Sequence, residues 1–82
     1  MNNASDIWKS VLRVMREELG MSTTTLNTWF DDTRAVKFEN DTLTLLTSED
    51  FKKDIILRVH SQKILDALFS VFSSPIKFEL YT

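Results

Sequence analysis

One histidine, His60, and two adjacent carboxylate pairs, Asp31-Asp32 and Glu49-Asp50, are the side chains of this 82-residue sequence best suited to chemistry. A lone histidine with no cysteine near it would need carboxylates gathered by the fold to hold a metal, and such a residue is ordinarily structural. Serine, histidine and aspartate all occur, but no nucleophile elbow frames them. The single glycine, Gly20, cannot build a phosphate-cradling loop. The carboxylate pairs read as a turn and a helix start. No active site, metal site or cofactor site is therefore expected. What remains is surface. Lys52, Lys53, Arg58 and Lys63 could contact phosphates, although such a run is commonly a solvated helix face. Trp8, Trp29 and Phe51 are large rings that could anchor a protein partner.

The elements that position these residues follow from periodicity. Residues 2–4 are expected to fray. Ser5 or Asp6 caps a first helix over Asp6–Leu19, in which Trp8, Val11, Leu12, Met15 and Leu19 share a face. Gly20 follows as a left-handed cap. Ser22 or Thr23 opens a short second helix to Phe30. Its three successive threonines are poor helix formers, so packing through Leu26, Trp29 and Phe30 must hold it. Trp29 is read as core. Trp8, in the first turn, is harder to bury. It lies ~100° round the helix from Ile7, so one sheet is not expected to cover both.

Ala35–Glu39 reads as a strand with Val36 and Phe38 on one side. Asn40-Asp41 fits a two-residue hairpin turn, since both types tolerate positive φ. Leu43 and Leu45 alternate with Thr42 and Thr44 in a second strand, Thr42–Leu46. Ser48 is read as the N-cap of a third helix, Ser48–Val59, with Glu49 and Asp50 at its positive end. Phe51 then sits at the rim of that helix, either as core or as a docking knob. The apolar phase shifts at Val59-His60-Ser61, which predicts a bend or two helices, with Ser61 as a possible new cap. Ile64, Leu65, Leu68, Phe69 and Phe72 continue the helical stripe to Ser73-Ser74-Pro75. Ile76–Tyr81 is a last strand. The order α-α-β-β-α(-α)-β predicts one α+β domain over residues 1–82, with helices covering a three-stranded sheet of open strand order.

Composition bounds the rest. A chain this short buries only ~60–65% of its unfolded surface, yet 43% apolar residues suffice for a globular fold. The absence of cysteine fits a reducing compartment. MNNASDIW lacks a basic region followed by an apolar run, so no signal peptide is expected. No apolar stretch nears the ~18–20 residues of a membrane helix. Net charge is −2, divided as −4 over residues 1–50 and +2 over residues 51–82.

The spacing of Trp8, Leu12, Leu19, Leu26-x-x-Trp29-Phe30, Asp41-Thr42-Leu43-x-Leu45, Ser48-x-x-Phe51 and Ile64 resembles the N-terminal domain of the bacterial chromosomal replication initiator DnaA over nearly the whole chain. The resemblance implies a K-homology-like fold in a cytoplasmic protein. It implies a module for weak self-association, for contact with the replicative helicase or its loader, and for docking of initiation regulators. The linker, ATPase domain and helix-turn-helix of such an initiator are not in this sequence, so an excised domain or a stand-alone relative is expected. By position, Trp8 matches a tryptophan associated with self-association, with Ile7 beside it. Thr28 and Trp29 match partner positions on the second helix. Thr25 stands where a helicase-contacting carboxylate occurs in some members, and Phe51 matches the exposed aromatic of the partner surface. Ser48, Glu49 and Lys52 flank Phe51 and complete the expected partner site. Ile55 departs from a frequent aromatic and His60 from a frequent tyrosine. The K-homology GxxG clamp for nucleic acid is absent. The competing expectation is weak single-strand binding by Lys52, Lys53, Arg58 and Lys63 with an aromatic neighbour.

Overall fold

A computed structural model describes residues 3–82. The first helix, α1 (Ala4–Glu17), begins earlier than expected. Asn3, not Ser5 or Asp6, is its N-cap: the Asn3 Oδ1 accepts from the Asp6 N–H at 2.8 Å. Of the segment expected to fray, Asn3 and Ala4 thus belong to the helix start, and Asn2 lies outside the described residues. At the other end, Gly20 adopts φ +77° and turns the Met21 N–H back onto the Met15 carbonyl at 2.9 Å. Helix α2 (Thr23–Phe30) is capped by Ser22, whose Oγ accepts from the Thr25 N–H at 3.0 Å.

Strands β1 (Arg34–Glu39) and β2 (Thr42–Leu46) form an antiparallel hairpin. Asn40 and Asp41 both take positive φ, as a tight turn requires. Strict alternation fails in β1. The register shifts between Ala35 and Lys37, so that Ala35 pairs with Leu45 and Lys37 with Thr44. The extra residue of this bulge is Val36, which is turned out at 43% exposure instead of sharing the inner face with Phe38.

Helix α3 (Asp50–Ile55) runs into a π-helical turn (Ile56–His60) and then α4 (Ser61–Phe72). The expected phase shift is therefore absorbed by one wide turn within a continuous helical run, and Ser61 does not recap. Ser48 is not the cap of α3 either. That position falls to Glu49, with no side-chain hydrogen bond, because the Ser48 hydroxyl is drawn to Asp32. Ser73, left-handed at φ 57°, ends α4. Strand β3 (Lys77–Tyr81) then pairs parallel to β2, giving the order β1-β2-β3. The parallel pair is possible because the α3–α4 run supplies the long crossover it needs.

Helices α1 and α4 cover one face of this mixed α+β sheet. Val11, Met15, Leu43, Leu45, Ile56, Ile64, Ala67 and Leu68 are fully buried between them. Ile7 and Trp8 are buried as well, each 4% exposed. The expectation that Trp8 is hard to bury, because one sheet cannot cover it together with Ile7, is thus corrected. The sheet does not act alone: Trp8 packs edge-on against Phe30 of α2, with ring centroids 5.7 Å apart, and its Nε1–H donates to the Thr33 carbonyl at 3.2 Å. The segment after α2 closes over the side of α1 that the sheet leaves open.

Candidate partner-docking face

The site is built where α2 meets the start of α3. Helix α2 buries Leu26 and Phe30 and keeps the next face half open. Trp29, expected in the core, lies on that half-open face. Its ring stands 5.9 Å from Phe51 and 6.3 Å from His60, centroid to centroid. Phe51 is 64% exposed, and α3 buries none of its own side chains. An aromatic helix residue left this open is surface rather than core.

Beneath the rings, His60 is 9% exposed and packs on Phe30 at 5.8 Å. Burial pushes its imidazole below the ordinary value, and Lys63 adds to the effect. The π turn is what puts His60 inward, so the histidine is a neutral wall of the aromatic cluster.

An ionic knot pins α3 to the end of α2. Lys52 Nζ lies 2.9 Å from an Asp31 oxygen and 3.3 Å from an Asp32 oxygen, with its side chain only 18% exposed. Asp32 also accepts from the hydroxyls of Ser48 and of Thr47, the latter at 3.2 Å. The Ser48 hydrogen bond above all, with help from Lys52 and Thr47 and against some desolvation, holds the Asp32 carboxyl below its usual range. The Asp31 hydrogen bond pushes the Lys52 ammonium up, opposed by desolvation and aided by Asp32. Asp50 closes the other side by accepting from the Thr82 hydroxyl at 2.8 Å.

Each expected partner residue can now be placed. Trp29, Phe51, Lys52 and Ser48 converge through ring contact and the knot. Glu49 is exposed at the α3 start. Thr25 and Thr28 lie on α2, but their hydroxyls are occupied locally: Ser22 Oγ donates to Thr25 Oγ1 at 2.9 Å, and Thr28 Oγ1 donates to the Thr24 carbonyl at 2.8 Å. Ile7 and Trp8 are not at this face and are not surface groups. Asp31 and Asp32, read from sequence only as a helix stop, turn out to hold the site together. Their charge complementarity to Lys52, some 20 residues on, was the available signal.

The basic run is less free than its composition suggests. Lys52 is committed to the knot, and Arg58 bonds Asp54 one turn earlier at 3.0 Å. Among the described residues no three His, Asp or Glu side chains gather as a metal site, and no helix is long and apolar enough to cross a membrane. A family model described as the DnaA N-terminal domain matches residues 5–70 of the 82.

Proposed function

The chain belongs to the DnaA N-terminal domain family and is a replication-initiator domain; from that premise we propose that it is a non-enzymatic docking module of the cytoplasm. Its partners are the replicative helicase or its loader and the regulators of initiation. They dock on the face formed by Trp29 and Phe51, with Thr25 and Thr28 along α2 and Ser48, Glu49 and Lys52 around the start of α3. The observation that carries this reading is Phe51: an aromatic ring 64% exposed, in contact with Trp29, on a helix with no fully buried residue. A ring this exposed adds little to folding stability, whereas an aromatic anchor that becomes desolvated on binding is the usual centre of a small interface.

Capture of the purified replicative helicase by the immobilised chain tests it. Wild type is expected to retain the helicase, Phe51→Ala to lose it, and Leu57→Ala, on another exposed position of the same helical run, to retain it. Equal retention by Phe51→Ala, or loss of helicase by all three proteins, would remove the reading for that partner.

A further inference from the structure

The short connection over residues 18–22 turns the chain back, so that the end of α2 meets the start of α1. Phe30 packs there on Trp8. Between the two helices lies a cavity of about 290 Å³. Its walls are apolar: Trp8 and Leu12 from α1, Leu26 and Phe30 from α2. Trp29 and Phe51 are not among them, so the cavity is distinct from the docking face.

The two ends of the cavity differ in chemistry. Thr33 lines one end, next to Trp8, whose indole N–H donates to its carbonyl. Thr33 is 7% exposed, and its hydroxyl is buried with no hydrogen-bond partner among the described residues. A buried hydroxyl ordinarily has one. The neighbouring rings cannot supply it, because the indole N–H is already taken and Phe30 has no polar atom. Asp31 follows Phe30 at the same end, and Lys52 engages one of its two oxygens. Arg16 lines the other end, eight residues along α1 from Trp8, or ~12 Å. Its guanidinium meets only the adjacent, exposed Glu17 among the described residues, at 3.2 Å. An ion pair of that kind is weak and easily exchanged.

We propose that this cavity binds a small aromatic carboxylate that carries a hydroxyl at the far end of its ring, as para-hydroxyphenylpropionate does. The ring lies between the helices, where Trp8 and Phe30 favour an aromatic body over an aliphatic one. The carboxylate pairs with the Arg16 guanidinium. The phenolic oxygen accepts from the Thr33 hydroxyl, and its O–H donates to the Asp31 carboxylate. Every polar group of the ligand, and the orphaned hydroxyl of the protein, is then satisfied. One guanidinium at one end and one carboxylate at the other suit a ligand with a single negative charge, placed away from Asp31. The volume is at the small end of ligand sites. It suits about a dozen heavy atoms, which sets a dissociation constant of about 0.1–1 mM.

Amide NMR titration of the whole chain with para-hydroxyphenylpropionate, to about 10 mM, tests the site. Saturating shifts are expected at the amides of Leu12, Leu26 and Thr33. Phenylpropionate, which lacks the hydroxyl, should bind about fivefold more weakly or worse. So should para-hydroxyphenylpropionamide, which lacks the charge. Arg16→Ala should weaken the acid by a similar factor and leave the amide unchanged. Thr33→Val should weaken the acid and leave phenylpropionate unchanged. Arg16 is exposed, and Thr33→Val removes an unpartnered hydroxyl at nearly constant volume, so both variants are expected to fold. Far-UV circular dichroism checks this, and the comparison of the three probes on wild type needs no variant. No saturation with wild type, equal binding of acid and amide, or undiminished binding of the acid by either variant overturns the proposal. Helicase capture is read without any of these probes, so either claim can fail while the other stands.

Discussion

The two tryptophans sit in the first two helices of the same small domain and have opposite fates. Trp8 is 4% exposed, edge-packed on Phe30, with its indole N–H bonded to the Thr33 carbonyl. Trp29 is only partly buried and carries Phe51 on its outer side. The difference lies in what each helix faces. Helix α1 is covered by the sheet, by α4 and by the turn after α2, so that even Ile7 and Trp8, near its N-terminal end, are enclosed. Helix α2 has one buried edge, and the next element beside it, α3, has no fully buried residue. Residue type is the same at both places; the number of elements available to cover the ring is not. A domain this thin has too few elements to enclose every ring.

The largest expected effect breaks the comparison at its buried end. Trp8→Ala removes a filled volume and an indole hydrogen bond, and should cost about 3–5 kcal/mol in urea unfolding, close to the whole stability of a small domain. A loss below about 1 kcal/mol would show Trp8 to be a surface group after all.

Beneath the exposed pair, His60 makes the comparison pH-dependent. Its folded-state pKa lies below the ordinary 6.5 because burial disfavours the imidazolium, with Lys63 adding repulsion. The unfolded chain then binds more protons than the folded one as pH falls, so stability rises with pH across this window. The contribution is fully present above the unfolded value near 6.5 and is lost as pH falls from there through the folded value. Thermal unfolding of wild type should therefore weaken between pH 7.5 and 5.5 more than that of His60→Phe. Parallel profiles would show that the histidine is solvated rather than walled in.

The smallest effect is at the exposed end. Phe51→Ala should cost under about 1 kcal/mol, since only the contact with Trp29 and little burial are lost. A loss of the size expected for Trp8→Ala would make Phe51 part of the core and erase the distinction between the two regions.

How much of this was legible in the chain depends on the range of the interaction. The hairpin was readable because Asn40-Asp41 and the alternation of Leu43 and Leu45 act within a few residues. So was the turn after α1, where Gly20 supplies a left-handed φ that other residues rarely adopt, although the helix itself ends at Glu17, two residues before the expected Leu19. The break in apolar phase at Val59-His60-Ser61 marked where the helical run changes, although a π turn and a bend leave the same mark in a sequence. The exposure of Phe51 was legible in part, through its polar neighbours and its place at a helix rim.

The remainder was decided by contacts between residues far apart. Ser48 has the right chemistry for an N-cap, yet Asp32, sixteen residues earlier, competes for its hydroxyl and wins. Val36 fits the inner face of β1 by period, but the pairing of Ala35 with Leu45 and Lys37 with Thr44 leaves it as the bulged residue. Ile7 and Trp8 could not both be covered by a sheet alone, and no local signal shows that the segment around Thr33 closes the second side. Local propensity and periodicity set which elements form, because their energies depend on near neighbours. Burial and hydrogen-bond choice depend on which distant groups arrive, and only the assembled tertiary structure settles that.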